Sequence, residues 1–304
     1  MSEQSTSNRR SMIWWLLSIF VAALVIVYFI ARERYTNEMI SAVDDSLIKH
    51  DLIWAGRGAD FAQYVLVLHG RDGATYQGTY RVPASVDPVP AIVVLHANRD
   101  TLEILEWLKD VPGAAQCAIV GVNVADYLAR DDDGRVRSSN KWLGRSLLPS
   151  LHAVDLAIEF VSGHRIVDTE AIYVAAELEA NLVGVPAAVN SSESLSGLSC
   201  MHPSAMMNLR DWDSDGFASP IYWAERVSGL RLLIVHDEAA ETNAVEFVKS
   251  LDQAGRASEL SPRDSFVGGM AKTIEWVMKD REGDESDETE EPSPIPSRST
   301  VVRR

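Results

Sequence analysis

The chain has 304 residues, 46% of them hydrophobic, and a formal net charge of −16. A body that acidic repels phosphate backbones and excludes nucleic acid as a partner class. The two cysteines cannot build a disulfide framework or a zinc cluster. With a tail set aside at each end, about 245 residues remain, enough for one large α/β domain.

A tail over residues 1–10 precedes Ser11 to Ala31, a run with no charge and almost wholly apolar. Some 20 such residues, at about 1.5 Å each, span a hydrocarbon core of roughly 30 Å. Trp14 and Trp15 stand at one end and Tyr28 near the other, where amphipathic rings favour headgroups. The run is too long for a signal peptide, and Phe29-Ile30-Ala31 makes a poor cleavage site. Residues 11–31 therefore read as an uncleaved single-pass transmembrane anchor whose partner is the lipid bilayer. Arg9 and Arg10 balance Arg32 and Arg34 across it. Only the α-amino group tips the topology, towards a soluble domain on the extracytoplasmic side. Residues 32–60 form a juxtamembrane segment, with Met39, Ile40, Val43, Leu47 and Ile48 at a spacing that predicts a short helix over 37–50.

The domain itself spans residues 61–280. Short apolar or alternating runs predict strands at Tyr64–Leu68, Thr75–Val82, Ala91–His96, Cys117–Val124, Ala171–Ala175, Leu195–Met201, Leu230–Val235 and Ala257–Leu260. Helical periodicity marks Thr101–Val111, Leu147–Ser162, Ala180–Val189, Glu241–Ala254 and Met270–Met278, with Pro186 bending the third of these. Hairpin strands followed by alternating β and α imply one α/β domain with a mainly parallel central sheet and helices on both faces. Residues 281–304 are acidic, then rich in Pro and Ser, with almost nothing apolar, and are expected to be disordered.

Three stretches share a pattern with a known architecture. DGATYQGTYRVP followed by AIVVLHANRD resembles an antiparallel strand and then a strand ending at an oxyanion loop. VDTEAIYVAAELEAN resembles the strand and sharp turn that carry a nucleophile, and LLIVHDEAAE the strand whose end carries an acid. Together, over roughly Gln63 to Lys279, the chain resembles the α/β-hydrolase superfamily, in particular its small esterase and dienelactone-hydrolase-like members. That family's chemistry needs a serine on a strained G-x-S-x-G turn, a later histidine to take its proton, and a carboxylate to orient that histidine.

Aligned on this resemblance, Ala175 replaces the first elbow glycine, Glu177 the serine and Glu179 the second glycine. A carboxylate nucleophile is known chemistry, so Glu177 remains a candidate beside a salt-bridged or vestigial role. No histidine follows His236, and Phe266 or Val267 lies where the family's base is expected. Asp237, Glu238 or Glu241 stands for the former acid. His96, Asn98 and Arg99 replace the oxyanion corner, where backbone N–H groups can still bind an anion.

Among other candidates, Ser199 and His202 form an alternative catalytic pair, with His202 just past a strand. Gly144-Arg145-Ser146 does not complete the elbow motif. His152 and Asp155 share a helix face without a third metal ligand. Asp131-Asp132-Asp133-Gly134 lacks the alternation of a calcium loop. Cys117 and Cys200 fall in buried strands as reduced core thiols. No metal site and no cofactor signature is present.

Without an imidazole downstream, the expectation is a membrane-anchored, catalytically inactive α/β-hydrolase-like protein. It would work by binding a ligand or a protein partner in a membrane complex. The alternative is an active membrane-tethered, esterase-like hydrolase using a non-standard site.

Overall fold

The computed structural model describes residues 14–30, 47–71, 73–97, 101–124, 140–203, 223–224, 226–238, 241–263 and 265–287. A first helix, α1, covers residues 14–30, and every residue of it is exposed. Among the described residues no helix is long and apolar enough to cross a membrane.

Nine strands then build one sheet: β1 (Leu47–Arg57), β2 (Phe61–Gly70), β3 (Thr75–Pro83), β4 (Val89–His96), β5 (Ala118–Asn123), β6 (Val167–Glu177), β7 (Gly197–Met201), β8 (Arg231–His236) and β9 (Glu259–Pro262). Their spatial order is β1-β2-β3-β5-β4-β6-β7-β8-β9. The pairs β1–β2, β2–β3 and β3–β5 are antiparallel, and every later neighbouring pair is parallel. The mainly parallel sheet expected from the alternation of elements is therefore present. Among the described residues, helices of seven or more residues after α1 are α2 (Thr101–Trp107), α3 (Asn140–Ser162), α4 (Asn181–Asn190), α5 (Glu241–Gln253) and α6 (Phe266–Asp287).

Continuous apolar runs become central strands because both of their faces are covered. In β4 all eight residues are buried. In β6, Val174 and Ala176 enter one core layer with residues of α3, α4 and α5. Tyr173 and Ala175 enter the other, with residues of α2 and α6. Each fully buried valine or leucine here contributes about 1.5–3 kcal/mol of transfer free energy.

Two boundaries differ from the sequence expectation. The helix predicted over 37–50 is at its C-terminal end a strand, since Leu47–His50 opens β1 and pairs with β2. Its five apolar positions fit a helical face, but hydrogen bonding to a neighbouring strand overrides that spacing. Residues 37–46 lie outside the described residues. The last helix runs to Asp287, seven residues into the segment expected to be disordered, while 288–304 are not described.

Candidate active site

Parallel strands end together on one rim, and ligands of such sheets bind outside those carboxyl ends. Here the rim is formed by His96 at the end of β4, Glu177 at the end of β6, His202 just past β7, and His236 and Asp237 at the end of β8. His96, Glu177, His202 and His236 are all buried. Four buried ionisable side chains gathered on one rim of the sheet make a candidate site.

Strain marks the same place. Only two non-glycine residues among those described have positive φ, Leu178 at 50° and His202 at 47°. They follow adjacent strands, because Glu177 pairs with Met201 in the β6–β7 register. A non-glycine residue in this region costs about 1–3 kcal/mol and persists only where its surroundings enforce it.

The strained residue lies one position beyond Glu177, the residue aligned with the elbow serine, and the turn around it reads Ala176-Glu177-Leu178-Glu179-Ala180. Ala176 and Ala180 are both fully buried. A Cβ on Gly184 of α4 would lie only 2.5 Å from the Ala176 Cβ, so helix and strand meet closely there. Glu179 sits half-buried in the turn, and Ala175 points into the opposite core layer. Glu177 ends the strand with its side chain buried.

An imidazole is nonetheless present on the rim. His202 Nδ1 lies 3.7 Å from Asp237 Oδ2, an ion-pair distance. Both ring nitrogens are buried without a hydrogen-bond partner among the described residues, so the approach to Asp237 is an ion-pair contact and not a hydrogen bond. Asp237 lies at the end of β8, where the resemblance expects an acid. The imidazole comes from the end of β7 instead of from a later loop. In that later place Phe266 opens α6, is buried, and packs against Trp107 with ring centroids 5.9 Å apart. His236 is held separately: its Nδ1 donates to the Asp237 carbonyl at 3.2 Å.

Ser199, the suggested partner of His202, is a sheet residue. Thr273 Oγ1 donates to the Gly269 carbonyl at 2.9 Å, so the Ser199 hydroxyl, 2.8 Å away, must donate to Thr273. That chain ties β7 to α6. Asn98 and Arg99 of the oxyanion corner lie outside the described residues, as do Asp131–Gly134, whereas His96 ends β4 fully buried. Asp155 accepts hydrogen bonds from Asn190 Nδ2 at 3.1 Å and Ser191 Oγ at 3.0 Å. Cys117 and Cys200 are free and buried, and desolvation pushes the Cys200 thiol up to about 12. Such a thiol is inert as a nucleophile.

One rim residue was not singled out in the sequence. Asn181, the first residue of α4, is fully buried and its Nδ2 donates to Leu178 O at 2.8 Å and Met201 O at 3.0 Å.

No protein-family model matches the sequence, and no curated protein does. Solved structures match in shape. Acetyl xylan esterase 1 from Thermoanaerobacterium sp. JW/SL YS485 has a TM-score of 0.56 at 13% identity, over 82% of this chain and 93% of the esterase. A CE15 glucuronoyl esterase from Teredinibacter turnerae T7901 has a TM-score of 0.55 at 10% identity, over 77% of this chain and 78% of the other. A fluorophosphonate-binding serine hydrolase from Staphylococcus aureus has a TM-score of 0.53 at 13% identity, over 72% and 99%.

The fold is of the α/β-hydrolase type. These likenesses also correct the expectation of an inactive binding domain, because the matching structures are those of esterases and hydrolases. The expectation rested on the absence of a histidine after His236, whereas His202, from the preceding strand, lies 3.7 Å from Asp237.

Proposed function

We propose that this chain is an esterase-like hydrolase that uses a non-standard site on the carboxyl rim of β6, β7 and β8. The observation that supports it is the His202–Asp237 pair beside a strained turn. In this reading Asp237 orients the imidazole and stabilises its charged form, as the acid of a hydrolytic triad does. His202 Nε2 takes a proton from water as the water oxygen attacks the acyl carbon of an ester or thioester. The tetrahedral intermediate then collapses and expels the alcohol or thiol, which leaves with the proton returned by His202. Water replaces serine as nucleophile because the strained residue of the elbow is Leu178, a side chain with no nucleophilic atom. The Ala97 backbone N–H, just beyond His96, is a proposed oxyanion donor, while Asn98 and Arg99 lie outside the described residues.

The proposal includes a membrane tether. Residues 11–31 are uncharged and α1 occupies 14–30 of them with exposed apolar side chains, including Trp14, Trp15 and Phe20. We place the hydrolase domain on the extracytoplasmic side.

The test is turnover of p-nitrophenyl acetate and butyrate by the purified full chain in detergent micelles. Turnover above the buffer rate that falls about 100-fold or more in His202→Gln supports the reading. Wild-type protein no faster than buffer, or a His202→Gln variant with unchanged turnover, overturns it.

A further inference from the structure

We infer that Asn181 is a positioning residue for His202, acting as a clamp that holds the two strained turns of the rim in one geometry. The inference rests on the hydrolase reading for its catalytic meaning, but its structural part stands alone.

Two turns in the left-handed region lie side by side, at Leu178 and His202. Neither is glycine, and the Leu178 side chain has no polar atom with which to fix its turn. What joins them is one amide group: Asn181 Nδ2 spends both its protons, one on the Leu178 carbonyl and one on the carbonyl of Met201, the residue immediately before His202. The Leu178 bond closes the elbow from inside its own loop. The Met201 bond crosses 20 residues of sequence to the next strand. From the other side, the His202 N–H donates to Val235 O at 2.7 Å, so the His202 backbone is held between β8 and the clamp.

The buried amide nitrogen carries two protons, and both are met by carbonyls at the strained turns. Moreover, Asn181 Oδ1 is buried without a hydrogen-bond partner among the described residues, a costly state for an amide oxygen. The side chain is therefore not placed for its own satisfaction. It is placed so that its two donors meet two carbonyls that flank strained residues. Its energetic role is to make the positive φ at His202 affordable, and its geometric role is to aim the imidazole at Asp237.

The experiment compares the full chain in micelles with Asn181→Ala and, as a milder variant, Asn181→Ser. The first readout is modification of His202 by diethyl pyrocarbonate, followed by mass spectrometry with exposed His50 as internal control. Loss of the clamp should raise the His202 rate relative to His50 by about tenfold, through local opening with the fold intact. The second readout is ester kinetics, where kcat should fall roughly 10- to 100-fold with KM within twofold, the signature of misplacement. Unchanged His202 reactivity in a folded variant overturns the clamp, whatever the kinetics. If both variants lose the fold, Asn181 is structural and the proposal is wrong. If wild-type protein has no turnover, the hydrolase reading fails, while the modification rates still decide the clamp.

Discussion

The two ends of strand β7 contrast in nearly every physical respect. At its start, Gly197 fits where nothing larger can: a Cβ there would lie 2.6 Å from the Trp276 ring, 3.0 Å from the Arg231 carbonyl and 3.1 Å from the Tyr173 ring. The Arg231 guanidinium lies over the Trp276 ring at 4.9 Å, and Ser196 Oγ donates to the Glu170 carbonyl. At its other end the chain enters a positive φ at His202, with a buried imidazole beside a carboxylate. One end is relaxed and filled; the other is strained and carries buried polar groups. Strain that packing does not require is a sign of function, since such sites give up stability for geometry.

The contrast can be sharpened by substitution at each end. Gly197→Val should destabilise the fold by about 3 kcal/mol through overpacking against Trp276 and the Arg231 carbonyl. Urea denaturation measures this, and the ester turnover of the fraction that remains folded should be unchanged. At the opposite end, His202→Gly removes the steric cost of the left-handed backbone. It should raise stability by roughly 1 kcal/mol while ending turnover. A variant that is both inactive and less stable would mean that the imidazole is there for packing.

A pH-dependent effect is expected away from both ends, where Asp155 joins α3 to the end of α4. Burial pushes its carboxyl up to about 7, against the Ser191 and Asn190 hydrogen bonds that lower it. The folded chain therefore keeps a proton that the unfolded chain, with the ordinary value of 3.8, releases. Stability from this group is full below about pH 4 and is lost as pH rises towards 7. Denaturation midpoints between pH 5 and 8 should fall with rising pH in the wild type and fall less in Asp155→Asn. Equal slopes in the two proteins would show that Asp155 is not the cause.

Much of the fold was legible because buried parallel strands advertise themselves. AIVVLH and IYVAA are apolar on both faces and became β4 and β6, and the helices between them followed the 3.6-residue period. The edge was harder to read. Leu47–Arg57 mixes Ile48, Trp54 and charged residues, and an edge strand needs only a neighbour to pair with, which no periodicity reveals. The site was half legible. His202 and Asp237 could be named, but their approach depends on β7 and β8 being neighbours in register, Met201 opposite Val235. The elbow alignment rests on IYV and AN and sets Glu177 at the serine position, and a sequence does not show which residue of the turn takes a positive φ. That residue is Leu178. Asn181 gave no signal, since a buried amide that holds carbonyls of two separate turns has no sequence spacing of its own.

The central claim is that His202 is the proton acceptor in ester hydrolysis. Its most direct test is kcat/KM for p-nitrophenyl acetate in H2O and in D2O, compared between wild type and His202→Gln. The expected result is a slower wild-type rate in D2O, because a proton moves in the step, and a rate that falls about 100-fold or more in the variant. An undiminished rate in His202→Gln would contradict the claim.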